Sequence, residues 1–400
     1  MSISLVLFDR FEAREELLPL VATRPIGNLR VGAFTLDKKW SEILRIPNVS
    51  YLTEDFLSIK FPLNIPTEEV LVIKANILPN EILLEALKNL RLNQRLVDPD
   101  GEWIAFRTKS KIKSDIIEDL NSEEFTLVEF IQEYQSLKFL EDIFTYNAAQ
   151  IAFDYSFIEI ESLYHSNIGI TIIGDKYKIT SSAKLSACTL NTSSGAILIL
   201  DGAIIESDCV IHGPAVIGKN ARLKSGTVIY PNVTIGDNSV VCGELNNAVI
   251  WGNSAKGHYG YLGCAVVGEG CNLGAGTTNS NLKNDWNTVK VYSYKDNNFR
   301  NTGLLKCGVF IGDHSMLAIS SKINTGTVIG VGVQVAISNF IPKFVPDFSW
   351  LSDGKSESYI LTKFLEMLSR KAEVKREDFT KMDKEILEYI YKQTLRLRNY

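Results

Sequence analysis

The second half of the chain carries aliphatic residues on every sixth position: Ile199, Ile205, Ile211, Ile217, Leu223, Ile229, Ile235 and Val241. After a break the same beat returns at Ile311, Leu317, Ile323, Ile329, Val335 and Ile341. Two positions before the beats of the first run stand Ala203, Cys209, Ala215, Ala221, Thr227, Val233 and Ser239. A period of six fits neither a helix, at about 3.6 residues, nor an alternating strand, at about 2. It predicts a parallel β-helix of hexapeptides, each giving a short strand and a turn. The beat residue points into a narrow prism, and the smaller residue packs inward where space is tight. In Ile217-Gly-Lys-Asn-Ala-Arg and Ile235-Gly-Asp-Asn-Ser-Val, Gly and Asn supply the turn positions with positive φ.

Residues 1–165 have a different texture. Leu5-Val-Leu-Phe8, Val70-Leu-Val-Ile73 and Trp103-Ile-Ala-Phe106 read as buried strands. Glu81 to Leu96 and Leu127 to Leu140 place apolar residues at helical spacing and read as helices. The alternation predicts an α/β domain. The expected organisation is therefore an α/β domain over 1–165, a β-helix over 166–345 and helices over 346–400. A single coil cannot bury its own face, so coils must stack and the ends need covers. The α/β domain can cover one end, and the charged, helically patterned residues 354–400 the other. The break between the two runs holds an insertion, roughly Asn279 to Gly303, with Trp286, Tyr292, Tyr294 and Phe299. Insertions of that length are usually functional or interface-forming, and contact with a neighbouring subunit is expected here.

Composition narrows the picture. With 42 Lys+Arg against 47 Asp+Glu and no basic stripe, a nucleic-acid partner is not expected. The start of the chain is too soon charged for a signal peptide, and no apolar run approaches the ~18 residues of a membrane span. The six cysteines have no CxxC spacing, and Cys209 and Cys271 fall on the small position of the hexads. Packing is the expected role, in a reduced cytoplasmic compartment.

The densest polar cluster lies inside the break: Gly257-His258-Tyr-Gly-Tyr261-Leu-Gly263, then Asn272-Leu-Gly-Ala-Gly-Thr-Thr-Asn-Ser-Asn281. Neutral imidazole, with a pKa near ~6.5, suits removal of a proton from an amine or hydroxyl nucleophile at neutral pH. Backbone N–H groups of a glycine-rich turn can steady an acyl oxyanion. From spacing alone, a structural and a catalytic His258 are equally open. His165, His212 and His314 have weaker contexts, and no HExxH or Cys/His set suggests a metal site.

The stretch from Gly252 through His258 and Tyr261 to Asn281 closely resembles one segment of the bifunctional N-acetylglucosamine-1-phosphate uridyltransferase/glucosamine-1-phosphate acetyltransferase family, with its His–Tyr–Asn–Asn spacing kept. The whole chain resembles a divergent branch of that family. The resemblance implies a left-handed, homotrimeric β-helix with acetyl-CoA bound between adjacent prisms. His258 is then the general base, Tyr261 and Asn281 hold the sugar phosphate, and Asn272 contacts acceptor or acyl donor. Lys224 stands where the family carries a phosphate-binding arginine. Two positions depart from the pattern: Leu282 replaces a tyrosine, and Asn246 takes the place of a sugar-binding lysine.

The N-terminal half departs further. Sugar-1-phosphate nucleotidyltransferases carry a glycine-rich loop after the first strand whose N–H groups cradle a triphosphate. Here Phe8-Asp-Arg-Phe-Glu-Ala-Arg14-Glu-Glu-Leu-Leu-Pro19 has no glycine, and Leu20 replaces the lysine. Asn76 stands for the metal-binding Asp, and one carboxylate fewer weakens Mg²⁺ binding. Arg14, Arg24 and Asn76 are the candidate phosphate and nucleotide residues of what reads as a reduced nucleotidyltransferase fold. The expected function is acetyl-CoA-dependent acyl transfer to a sugar phosphate or nucleotide sugar. Two alternatives stand beside it: a sugar-1-phosphate nucleotidyltransferase with an atypical phosphate loop, and a non-catalytic scaffold that binds sugar nucleotides.

Overall fold

The computed structural model describes residues 3–10, 13–160 and 169–398 of the chain; His165 lies outside them. Two compact units are present: residues 1–14, 23–29 and 34–138 form one, and residues 15–22, 30–33 and 139–400 the other.

The first unit is built on a six-stranded mixed sheet. Its strands are β1 (Ile3–Phe8), β2 (Val49–Leu52), β3 (Glu69–Lys74), β4 (Gln94–Val97), β5 (Trp103–Thr108) and β6 (Thr126–Glu129), in the order β2-β1-β3-β5-β4-β6. β1 pairs in parallel with both β2 and β3, and β5 runs antiparallel to β3 and β4. Leu5, Val6, Leu7, Val70, Val72 and Ile73 are fully buried. That is the environment a continuous apolar run predicts when both faces of a sheet are covered. Helices α1 (Leu36–Leu44), α2 (Glu81–Asn89) and α3 (Lys113–Asn121) complete the unit, with Trp40 and Ile116 buried.

Two expected helices are corrected. The helical pattern from Glu81 ends at Asn89; Asn93 takes φ 58°, and Gln94–Val97 joins the sheet. Leu127–Leu140 is not a helix. Thr126–Glu129 pairs in parallel with Gln94–Val97 at the sheet edge, which leaves Leu127 and Ile131 solvent-exposed. The real helix there, α4 (Asp142–Phe157), escapes the hydrophobic pattern because Asn147, Gln150 and Asp154 lie on its buried face. Asn147 Oδ1 accepts from the Gly32 N–H at 2.7 Å, and Asp154 Oδ2 from the Ala33 N–H at 2.6 Å. Buried polar groups so satisfied are tolerated, but they carry no hydrophobic signal.

The second unit is the left-handed parallel β-helix, of about ten turns. Ile199 pairs with Ile217, Ile217 with Ile235, Ile235 with Ile250, Ile250 with Val267, and Val267 with Ile311. The beat residues form one continuous apolar column, and Cys209 and Cys271 are buried within it as expected of small packing residues. Each fully buried Ile or Leu contributes roughly 1.5–3 kcal/mol. One corner carries a side-chain ladder of left-handed asparagines. Asn220 donates to Asn238 at 3.2 Å, Asn238 to Asn253 at 3.1 Å, and Asn253 to Glu269 at 2.9 Å. The first of these rungs spans 18 residues and the second 15, so the coil shortens just before the polar cluster.

The insertion forms a hairpin, Lys290–Ser293 against Asn298–Asn301, and it lies against its own chain. Tyr292 stacks on Phe344 with ring centroids 3.6 Å apart, and Arg300 makes two 2.7 Å bonds to the Glu141 carboxylate. Of its four aromatics Trp286 is the most exposed, at 69%, followed by Phe299. Helices α5 (Leu361–Lys375) and α6 (Lys381–Gln393) cover the last coil, where Phe348 meets Phe364 and Tyr391 edge-on.

Candidate active site

The cluster around His258 forms at a corner of the β-helix between the strands Ala255–Lys256 and Tyr261–Val267. The His258 imidazole is exposed, and its neighbour Tyr259 is 68% exposed. The turn that carries them is held from below. Lys224, two coils earlier, donates from Nζ to the Gly257 carbonyl at 3.0 Å. Lys256 donates to the His258 and Tyr259 carbonyls at 2.5 and 2.9 Å. The Glu244 and Gly276 amides donate to the Gly260 and Tyr259 carbonyls at 3.1 and 3.0 Å.

Tyr261 is half-buried, and its hydroxyl accepts from Asn281 Nδ2 at 3.1 Å. Burial raises its phenol pKa, against a lowering by the Asn281 and Asn246 amides. The ring folds across Gly263, where a Cβ would lie 2.2 Å from the Tyr261 hydroxyl oxygen. Only glycine leaves room for it, so the spacing Tyr261-Leu-Gly263 has a steric cause. Asn281 Nδ2 also donates to Cys264 Sγ at 3.4 Å. Asn272 is exposed on a different face of the prism, on the strand Asn272–Leu273 beside Ala255. The structure thus joins Tyr261 to Asn281 and Lys224 to the His258 turn, while Asn272 bonds to none of these. Of the other histidines, His212 stacks on Tyr230, and His314 occupies a corner with φ 60°.

Two participants escape the sequence reading. Lys256 is 1% exposed and sits in register with Val241, on the beat itself. Asn279 is in register with Ile323 on another beat; its amide accepts from the Gly263 N–H at 2.8 Å and donates to the Gly263 carbonyl at 2.9 Å. The hexad spacing Ile250, Lys256, Leu262 and then Val267, Leu273, Asn279 would have shown both. It stays hidden because those two positions are not aliphatic.

The N-terminal candidates gather at the carboxyl ends of β1 and β3, where the connections from these two strands leave in opposite directions. Ligands of open α/β sheets bind at such switch points. Here the groups are already committed. Arg14 is buried, bonded to Asp9 Oδ2 at 2.6 Å and to the Arg24 carbonyl at 3.1 Å. Asp9 also accepts from Thr53 at 2.5 Å and the Ile26 N–H at 3.1 Å; burial raises its pKa, against the lowering by Arg14. The Arg24 guanidinium reaches Asn28 Oδ1 at 3.3 Å. Asn76 donates to the Leu137 carbonyl at 3.0 Å, and its Oδ1 is buried without a partner among the described residues. No group of three or more His, Cys, Asp or Glu side chains among the described residues is placed to hold a metal ion. No helix among them is long and apolar enough to cross a membrane.

Comparison with known proteins gives matches in both halves of the chain. Residues 5–162 match the family described as sugar nucleotidyl transferase, and residues 214–243 match the bacterial transferase hexapeptide repeats. The bifunctional protein GlmU of Wigglesworthia glossinidia brevipalpis is 34% identical over 167 residues, which are 42% of this chain and 32% of that protein. GlmU of Thermotoga petrophila is 28% identical over 184 residues, 45% of this chain and 34% of that protein. The matches therefore span about a third of the relatives' own length. The solved UDP-N-acetylglucosamine acyltransferase of Francisella novicida superposes with a TM-score of 0.38 at 17% identity, over 57% of this chain and 86% of that one. The chain thus carries a region similar to the sugar nucleotidyl transferase family, followed by bacterial hexapeptide repeats, and over part of its length it is similar to bifunctional GlmU proteins.

Proposed function

We propose that the β-helix transfers an acetyl group from acetyl-CoA to a sugar phosphate or nucleotide sugar. The observation that carries this reading is the exposed His258 imidazole on a turn anchored at the Gly257, His258 and Tyr259 carbonyls, beside the linked Tyr261 and Asn281. In this reading His258 takes the proton from the acceptor amine as nitrogen attacks the thioester carbonyl. The tetrahedral intermediate then collapses, the C–S bond breaks, and the proton passes from imidazolium to the departing CoA thiolate. Tyr261 and Asn281 hold the acceptor's phosphate or sugar hydroxyls. Asn272 serves from its own face, toward acceptor or donor bound against a neighbouring subunit of a homotrimer. Lys224 braces the catalytic turn through Gly257, a role different from direct phosphate binding.

The N-terminal domain, in the same reading, keeps the nucleotidyltransferase fold without its chemistry. Mg²⁺ needs oxygen ligands in near-octahedral array, commonly with carboxylates among them. Asn76 offers one neutral oxygen, and Asp9 is committed to Arg14, Thr53 and Ile26. These donors do not fit the ion, and no step is routed through it. The arginines that could grip a triphosphate are likewise engaged within the fold.

The test is CoA release over a panel of amino-sugar phosphates and nucleotide sugars. His258→Ala should lower the rate by about 10²–10⁴-fold, the usual contribution of a general base. Equal rates in the two proteins would remove His258 from the mechanism. The same panel with nucleoside triphosphates should release no pyrophosphate; release abolished by Arg24→Ala would restore the N-terminal domain as an enzyme. Tight binding of a sugar nucleotide with no turnover of any kind would favour a non-catalytic scaffold.

A further inference from the structure

The beat positions of this prism are apolar except at Lys256 and Asn279. Leu223 and Val241 occupy the same face on the two coils before Lys256, and Leu273 follows it on the next. Lysine is a poor occupant of such a site, since burying an ammonium is costly unless it is paired or loses its proton. Its four-carbon stem fills the aliphatic place, and its Nζ reaches the corner from inside. There it meets two backbone carbonyls, those of His258 and Tyr259, at 2.5 and 2.9 Å. Those carbonyls belong to the two residues that the corner presents to solvent. An ammonium carries three N–H donors and a neutral amine two, enough for both carbonyls in either state.

We infer that Lys256 is the positioning residue of the His258 turn, holding it in place from within the prism by its bonds to the His258 and Tyr259 carbonyls. It touches no substrate. Its contribution is to fix the backbone that aims the imidazole, a displacement of which by about 1 Å can lower a rate by about 10²-fold. The surrounding hydrogen bonds make the effect measurable apart from catalysis. The Gly276 amide donates to the same Tyr259 carbonyl that Lys256 holds, and the Glu244 amide donates to Gly260 in the same turn. Farther along the column, the Gly218 amide donates to Ile235 and serves as a reference.

The experiment compares wild type with Lys256→Met, whose unbranched side chain suits an apolar beat. Lys256→Leu is a second variant if the first does not fold. Amide hydrogen exchange at Gly276 and Glu244 should speed up at least tenfold in the variant, while Gly218 keeps its protection. Unchanged exchange at both sites, or an equal loss at all three, would overturn the inference. In the CoA-release assay kcat should fall at least tenfold with KM for acetyl-CoA within twofold; an unchanged kcat would also overturn it. The kinetic part rests on the acyltransferase reading. If wild type releases no CoA, that reading fails alone, and the exchange comparison still decides the role of Lys256.

Discussion

At the scale of single residues, Lys256 and Asn279 are the most informative side chains in the β-helix. Both stand where the repeat calls for an aliphatic residue, and both are buried. Burial pushes the Lys256 ammonium down to about 8 from its usual value of 10.5. Between those two values the unfolded chain binds the proton that the folded chain has released. Stability therefore rises with pH from about 8 to about 10.5, and the full penalty is present below that window. The difference in unfolding free energy between wild type and Lys256→Met should shift in favour of wild type across this range, by on the order of 1–3 kcal/mol. Denaturant titrations of both proteins at pH 7.5 and 10.5 measure it. A difference that stays flat with pH would mean that Lys256 is solvated. Taking the difference cancels the buried thiols, such as Cys188 and Cys271, whose raised pKa values act on both proteins.

At the scale of elements, the hairpin that interrupts the repeats is fastened by charge. Arg300 bonds both oxygens of Glu141 at 2.7 Å, lies 3.6 Å from Glu16, and places its guanidinium over the Phe139 ring at 4.2 Å. The three charged groups are largely buried, so removing the cation strands carboxylate charge in a poor solvent. Arg300→Ala should cost about 3–5 kcal/mol, as for other broken buried pairs. A loss under about 1 kcal/mol in urea unfolding would show that water replaces the guanidinium. This arrangement was only half legible in sequence. The interruption and its aromatics are plain in sequence, with contact to a neighbouring subunit expected of them. What the sequence does not show is that Tyr292 and Tyr294 pack on Phe344 and Asp347 of the same chain. The mistaken helix over Leu127–Leu140 has a related cause. Apolar residues at helical spacing were present, but the open edge beside Gln94–Val97 took the segment as a strand.

At the scale of the whole molecule, the repeat region leaves large apolar side chains in water. Ile319 is 73% exposed, Phe340 57% and Leu305 50%. Exposed apolar residues of this size favour association. The trimer of the proposed function should therefore appear in light scattering as three times 44.7 kDa. A monomer at micromolar concentration would exclude any site shared between prisms. It would leave the His258 turn intact, because all its supports come from one chain.

Sequence by itself determined the repeat. A side chain on every sixth position must face a three-sided interior, whatever surrounds it, because the period is set by local strand and turn geometry. It also marked the sharpest chemical cluster, since Gly263 and the Tyr–Asn spacing answer to contacts within one strand and between adjacent coils. Tertiary structure alone decided which polar residues point inward. Lys256 and Asn279 look like breaks in the pattern when read as hydropathy, and become parts of it once the coils are in register. The same holds for Arg14 and Asn76. Their residue types suggested phosphate and metal. The bonds of Arg14 to Asp9 within its own loop, and of Asn76 to Leu137 in a distant segment, show where those groups are already spent.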